Sequence, residues 1–243
     1  MNLILFEPEE LSPAGVVTVS DDRSRHMLQV LRVTPGDTVR VGVLDAGIGV
    51  GTVTDVGPRD VTLTCALADP PPRPRIDLLL AVPRPKVMRR LWAQLAALGV
   101  GRIILTNADR VERNYFDTHI LAPECYRPLL IEGLQQARDT HVPRVTVHRQ
   151  FRKLIEDELD TLSDAAVRLV AEPGTSRGSR AMLVGRRDGR VLLAIGPEGG
   201  WNRFELDLLQ AHRFTSVSMG SRTLRSDTAC IALLTLASDA IDD

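Results

Sequence analysis

Two short stretches near the C-terminus combine residue types that can bind a small molecule and act on it. The first is Gly196-Pro197-Glu198-Gly199-Gly200, which follows the apolar run Val191–Ile195. Five uninterrupted apolar residues read as a strand buried on both faces. Glycines in the turn after it permit positive φ and let a ligand or a second backbone come close. Asn202 predicts a helix N-cap, and Glu205, three residues on, closes a capping box. Strand, glycine turn and capped helix suit a small-molecule site at the carboxyl end of a sheet strand. They equally suit an ordinary strand-to-helix turn, and this stretch alone leaves both open. The second stretch runs from Ser218 to Ala229 and holds Met219, Gly220, Leu224 and the permanent cation of Arg225. No Ser-His-Asp or Cys-His arrangement accompanies them, which argues against nucleophilic hydrolysis. No Gly-Lys-Ser/Thr follows the first turn, which argues against an unrelated nucleotide-binding enzyme that holds phosphate there.

In order and spacing, Gly196–Gly200, Glu205, Gly220, Leu224-Arg225 and Thr228-Ala229 resemble a known family, the 16S ribosomal RNA (uracil-N3)-methyltransferases of the SPOUT class. In that family a GPEGG turn is followed by a Glu, then by a Leu-Gly segment running into Ile-Leu-Arg-Thr-Glu-Thr-Ala. The resemblance implies an α/β fold: a parallel-sheet SPOUT domain with a C-terminal trefoil knot, preceded by a small PUA-like β-barrel. It implies S-adenosyl-L-methionine held in a bent form among the knot loops, here 171–173, 196–200 and 219–225. Expected cofactor contacts are then Ala171, Glu172, Ile195, Gly196, Pro197, Gly199, Gly200, Met219, Gly220 and Leu224. The implied reaction places a methyl group on N3 of a uridine by direct displacement, without a metal. Because N3 carries a proton at neutral pH, a base or an oxyanion stabiliser is needed. Arg225 is the candidate for stabilising charge on the uracil oxygens, and Glu198 for orienting the site or complementing the sulfonium. The competing structural roles are a loop cap or a carboxylate partner for Arg225 and a turn stabiliser for Glu198.

The N-terminal part carries His26, then Val30-Leu31-Arg32, then Gly36-Asp37, the pattern of the family's PUA-like barrel. By that resemblance His26, Arg32, Lys86 and Arg138 are the expected RNA contacts. Arg32 is the residue expected on phosphate, since a guanidinium offers a fixed fork of donors. The chain also departs from the family's pattern. Gln94 and Ala97 stand where the family has Lys and Glu, and Asp139 stands where it has Arg, with Arg138 one position early. Ser226-Asp227 replaces Thr-Glu, and the family's N-terminal Arg-x-Phe-Phe is missing. These departures keep open a divergent paralogue that methylates another RNA site, or one that binds RNA without catalysis. The resemblance further implies 16S ribosomal RNA as partner and a homodimer. Apolar Ala229, Ala232, Leu233, Leu236, Ala237 and Ala240 cover more than one face of the terminal helix, as a helix shared between core and partner would.

The elements that must position these residues follow from composition and periodicity. The chain has 243 residues, 44% hydrophobic and 25% charged, ordinary for a globular protein of one or two domains. No apolar run approaches the roughly 20 residues of a membrane span, and Met1–Phe6 lacks the basic flank of a signal peptide. Three widely spaced cysteines argue against a disulfide framework or zinc site and fit a reducing cytoplasm. The histidines show no ligand spacing, so no metal is expected. Net charge is −1, so any RNA contact must come from a local patch. Residues 1–68 read as the small β domain, with strands at 16–19, 38–43, 51–56 and 61–64 and a short helix at 26–32. The proline-rich segment 69–75 reads as a linker. From residue 76 to 243, strands at 77–82, 102–106, 145–148, 167–171, 191–195 and 215–219 alternate with helices at 86–98, 123–138, 151–159, 203–212 and 227–241. Such alternation implies a parallel sheet covered on both faces.

Overall fold

The structure, a computed structural model, describes residues 2–176, 178, 179, 182–184 and 189–242. The chain divides into two compact units, Met1–Arg73 with Ile131–Val142, and Pro74–Leu130 with Pro143–Asp243.

In the first unit, strands β1 (Ile4–Phe6), β2 (Val16–Val19), β3 (Thr38–Val43), β4 (Ile48–Val56) and β5 (Val61–Leu67) form a five-stranded sheet ordered β1-β3-β4-β5-β2. Every pair is antiparallel except β1 with β3. Side chains alternate across a strand, so Val17 and Val19, Val39 and Val41, and Val61 and Leu63 turn one face inward onto Ile4, Phe6 and Met27. The helix starts earlier than its apolar pattern suggested. Asp21 accepts a hydrogen bond from the Arg23 N–H at 2.8 Å, and α1 (Asp22–His26) continues as a π-helical turn over Met27–Leu31. The first turn reads Asp-Arg-Ser-Arg-His and carries no apolar signal. Arg32 ends the helix in the left-handed region at φ 55°, so it lies beyond the helix in which it was expected.

Residues 131–142 join this unit through specific bonds. Thr140 Oγ1 donates to the Ala46 carbonyl at 2.6 Å, and the Asp45 N–H donates to the Thr140 carbonyl at 2.8 Å. Asp139 has a structural role here: its carboxylate accepts from the N–H groups of Thr140 (2.6 Å) and His141 (3.0 Å), an Asx-type turn.

In the second unit, β6 (Ile76–Ala81), β7 (Val100–Thr106), β8 (Arg144–His148), β9 (Val167–Ala171), β10 (Val191–Ile195) and β11 (Phe214–Val217) are all parallel, ordered β11-β9-β10-β6-β7-β8. Strands β6 and β10 are buried along their whole length: β10 is an unbroken apolar run, and in β6 the one charged residue, Asp77, is paired with Arg190 at 2.5 Å. The helices are α2 (Pro85–Ala97), α3 (Pro123–Ala137, its second half counted with the first unit), α4 (Phe151–Lys153) and α5 (Leu159–Leu162) joined by a π-helical turn, α6 (Arg203–Ala211) and α7 (Ser226–Asp242). Pro85 opens α2, where its missing N–H costs nothing, and Met88, Leu91, Trp92 and Leu95 form its buried stripe. β11 stops at Val217, short of the expected residue 219. Ser218 turns the chain there, its Oγ accepting from the Gly220 N–H at 3.2 Å. α7 packs against α2, β10 and β6, although β11, which precedes it, pairs only with β9 at the sheet edge. The chain therefore crosses β9 between its last strand and its last helix.

Candidate active site

Parallel strands leave a crevice at their carboxyl ends where the connections diverge. Here β9, β10 and β11, neighbours in the sheet, end at Ala171, Ile195 and Val217, and all three residues border one cavity of about 350 Å³. The loops that follow complete it. Glu172 and Pro173 come from the β9 end, and Gly196, Pro197, Glu198, Gly199 and Gly200 from the β10 end. Ser218, Met219, Gly220, Arg222, Thr223 and Leu224 come from the β11 end. All ten residues expected as cofactor contacts thus lie on one wall system, with Glu198. Leu206 of α6 and Ser226 and Ala229 of α7 close the back.

The glycine turn is fixed from several sides. The Gly200 N–H donates to the Pro197 carbonyl at 2.8 Å, and Gly200 holds φ at +71°, where a side chain would be strained. Gly196 meets the indole of Trp201: a Cβ placed on it would lie 3.1–3.2 Å from three ring atoms. Ser226 Oγ donates to the Gly196 carbonyl at 3.2 Å and ties the start of α7 to the turn. The neighbouring Asp227 receives a bond from Arg90 at 3.3 Å. Beyond the turn, Asn202 and Glu205 make the capping box, with Asn202 Oδ1 accepting from Glu205 N–H and Glu205 Oε2 accepting from Asn202 N–H, both at 2.8 Å. Glu205 does more than its sequence pattern showed. Its Oε1 also accepts from the Asp109 N–H at 2.7 Å, clamping the loop after β7 to the start of α6. From that loop Arg110 donates to the Gly199 carbonyl. The close approach at Gly199 is therefore made by the Arg110 side chain.

Trp201 is the wall residue that sequence reasoning missed. It is buried and stacks on Phe151 with ring centroids 5.3 Å apart, yet its Nε1 has no hydrogen-bond partner among the described residues. A buried indole N–H without an acceptor is costly, and it borders the cavity. Leu206, Val217 and Ala229 were missed as well, because apolar wall residues carry the same pattern as core.

The charged candidates are placed differently. Glu198 is exposed on the cavity rim, where Oε1 lies 3.4 Å from the Arg84 N–H. Arg225 is exposed between wall residues Leu224 and Ser226 but does not itself line the cavity, whereas Arg222 does. Neither arginine is paired with a described carboxylate. Of the expected RNA contacts, Lys86 is exposed in the first turn of α2 in the second unit. Arg32 and Arg138, both at positive φ (55° and 60°), are exposed in the first unit. His26 is half-buried there; burial holds its pKa below the usual imidazole value, and its Nε2 has no described partner.

Known proteins resemble this chain in sequence and in fold. Residues 70–238 match the model of an RNA methyltransferase domain, and residues 19–64 that of an RNA methyltransferase PUA domain. The chain is 30% identical over 245 residues to ribosomal RNA small subunit methyltransferase E of Treponema pallidum, covering 96% of this chain and 88% of that protein. It is 25% identical over 242 residues to the Mycobacterium tuberculosis protein of the same name, covering 96% and 90%. Among solved structures, the Neisseria gonorrhoeae ribosomal RNA small subunit methyltransferase E bound to S-adenosyl methionine superposes with a TM-score of 0.76 at 21% identity, covering 98% of this chain and 97% of that one. The likeness to that structure shows a common fold.

Proposed function

We infer the reaction from one premise: the chain belongs to the RNA methyltransferase family, with a PUA-type domain in its N-terminal part and the methyltransferase domain after it. It transfers a methyl group from S-adenosyl-L-methionine to N3 of a uridine in the RNA of the small ribosomal subunit. The observation that carries this reading is the cavity at the ends of β9, β10 and β11, built from the residues that match the family's cofactor loops. The residues present fit such a donor. The unpartnered Trp201 Nε1 can donate to an acceptor on it, the glycine turn offers backbone N–H and C=O groups, and Met219, Leu206, Leu224 and Ala229 supply apolar walls. When bound, S-adenosyl-L-methionine supplies the methyl group on a sulfonium. We read the passage of residues 218–226 across β9, with Ser218 bridged to Gly178, as the threading of a trefoil knot.

The chain's own residues then act by position and charge. The loops hold the reacting atoms in line, which accounts for much of a displacement reaction's acceleration. Glu198 on the rim complements positive charge near the turn. Arg225, exposed beside the cavity, stabilises negative charge on the uracil oxygens as N3 gives up its proton to solvent and takes the methyl group, leaving S-adenosyl-L-homocysteine. Arg32, Arg138, Lys86 and the His26 turn dock the RNA; His26 does so as a neutral group, since burial disfavours its charged form. Ile231, Ala232 and Leu236 of α7 remain half-buried while Leu233, Leu234 and Ala237 are fully buried. The half-buried face supports pairing with a second copy.

Two variants test the assignment. Arg225→Ala should keep S-adenosyl-L-methionine affinity within a few-fold but slow single-turnover transfer by roughly 10²–10³, as loss of one oxyanion donor does. Arg32→Ala should weaken RNA binding and flatten its salt dependence with little change in transfer. If both variants lose only RNA affinity, Arg225 is a docking residue.

A further inference from the structure

A second cavity, of about 380 Å³, lies in the methyltransferase unit and is not used by the reaction as derived above. It shares the start of α6 with the first cavity: Asn202 and Glu205 border it, while Trp201 and Leu206 border the first. The wall between the two is the stacked pair Phe151–Trp201, with Phe151 facing the second cavity and Trp201 the first.

Three observations describe what would fit there. Phe204, on its rim, is 56% exposed, an aromatic ring left in water with no ring partner among the described residues. Asn107, just after β7, lines the cavity, and its amide offers both a donor and an acceptor to the edge of a base. Arg113, also on the rim, is exposed and pairs with no described carboxylate, while Arg152 beside it is engaged by Glu156 at 2.9 Å. Two carboxylates oppose them: Asp109, which is exposed, and the buried Glu205, whose oxygens are engaged by the Asp109 and Asn202 N–H groups. A flat ring with N–H donors at its edge and an anionic group attached is the chemistry of an unpaired nucleotide. Single-stranded RNA is held in this manner, by aromatic stacking with a cation on the backbone.

We propose that this cavity takes the base of an unpaired nucleotide flanking the methylated one, stacked on Phe204, with its edge on Asn107 and its phosphate on Arg113. The target base cannot be the occupant, because the Phe151–Trp201 wall separates this cavity from the methyl donor's. The proposal rests on the RNA methyltransferase reading above, since a base taken out of its stack for reaction leaves its neighbours unstacked as well.

The test uses the full chain and 16S ribosomal RNA. Phe204 is mostly in water, so Phe204→Ala should fold. It should weaken RNA binding about 5- to 150-fold, the equivalent of the ~1–3 kcal/mol that stacking one base contributes. S-adenosyl-L-methionine affinity should be unchanged, and Phe204→Tyr should restore RNA binding. Arg113→Gln should lower the salt dependence of binding by about one phosphate contact. RNA affinity of Phe204→Ala within two-fold of the wild type overturns the proposal. An equal loss of S-adenosyl-L-methionine affinity overturns it too, since Phe204 would then only support the neighbouring wall. Altered self-association, or altered binding to assembled small-subunit particles alone, would mean a protein partner and also refute it. If wild-type protein binds no RNA, the functional reading itself fails and takes this proposal with it.

Discussion

Glu205 joins the loop after β7 to the start of α6, and Glu205→Gln tests that joint directly. The carboxylate is 3% exposed and spends its two oxygens on two different backbone donors, Asp109 N–H at 2.7 Å and Asn202 N–H at 2.8 Å. The amide keeps the shape but retains one acceptor oxygen; its NH₂ group must face one of the two N–H groups. One charge-assisted bond, contributing about 1.5–3 kcal/mol, is lost, and a buried donor is left unsatisfied. The expected loss is about 2–4 kcal/mol, which for a domain of this size lowers the melting temperature by about 5–15 °C. Asn202→Ala removes only the reciprocal half of the capping box and should cost about 0.5–2 kcal/mol. Because the two side chains share one motif, the double variant should be less destabilised than the sum. Thermal melting followed by circular dichroism reads all three. A Glu205→Gln protein that melts within 1 °C of the wild type would refute the reasoning, since its clamp on the β7 loop would then carry nothing.

Gly196→Ala places a Cβ 3.1–3.2 Å from three atoms of the buried Trp201 ring. Overpacking of about 1–3 kcal/mol should appear in calorimetry as S-adenosyl-L-methionine binding weakened roughly 5- to 150-fold. Gly199→Ala, whose Cβ meets only the movable Arg110 side chain, should be milder; the reverse order would be contrary evidence. In the first unit, hydrogen bonds from Arg23 hold the Glu10 and Asp21 carboxyls below their ordinary values of 4.5 and 3.8. Lowered folded pKa values mean that this stabilisation is present above those ordinary values and disappears as pH falls through the folded ones. Melting between pH 5 and 2 should therefore steepen downward in the wild type and less so in Arg23→Gln, and equal slopes would count against the triad. Finally, light scattering should report a dimer at micromolar concentration, and Leu236→Asp on the half-buried face of α7 should yield monomer. A monomeric wild type would remove the dimer from the account.

The catalytic half of the fold is written locally, which is why it was legible. Val191–Ile195 is the same five residues by pattern and by structure, and the Asn202–Glu205 capping box forms as its spacing implied. The glycine turn pointed to the right end of the sheet because its conformational needs lie within five adjacent residues. What escaped was non-local or unmarked. The Asp109–Glu205 bond joins residues 96 apart, and no pattern at either end announces it. Trp201 and Ala229 went unmarked as cavity wall because a cavity wall and a core have the same composition. Residues 131–142 belong with the first unit through Thr140 and Asp139, side chains whose bonds are to distant backbone or to a local turn. Strand β1 has three residues, too few for a period to show.

The central claim is that this cavity delivers a methyl group to a uridine N3 of small-subunit RNA. Incubating the protein with methyl-labelled S-adenosyl-L-methionine and 16S ribosomal RNA from cells lacking the gene, then separating the nucleosides, tests it most directly. The account predicts label in N3-methyluridine, at one position per RNA, and its loss in Arg225→Ala. Label in any other nucleoside, or cofactor and RNA both bound with no label transferred, would contradict it.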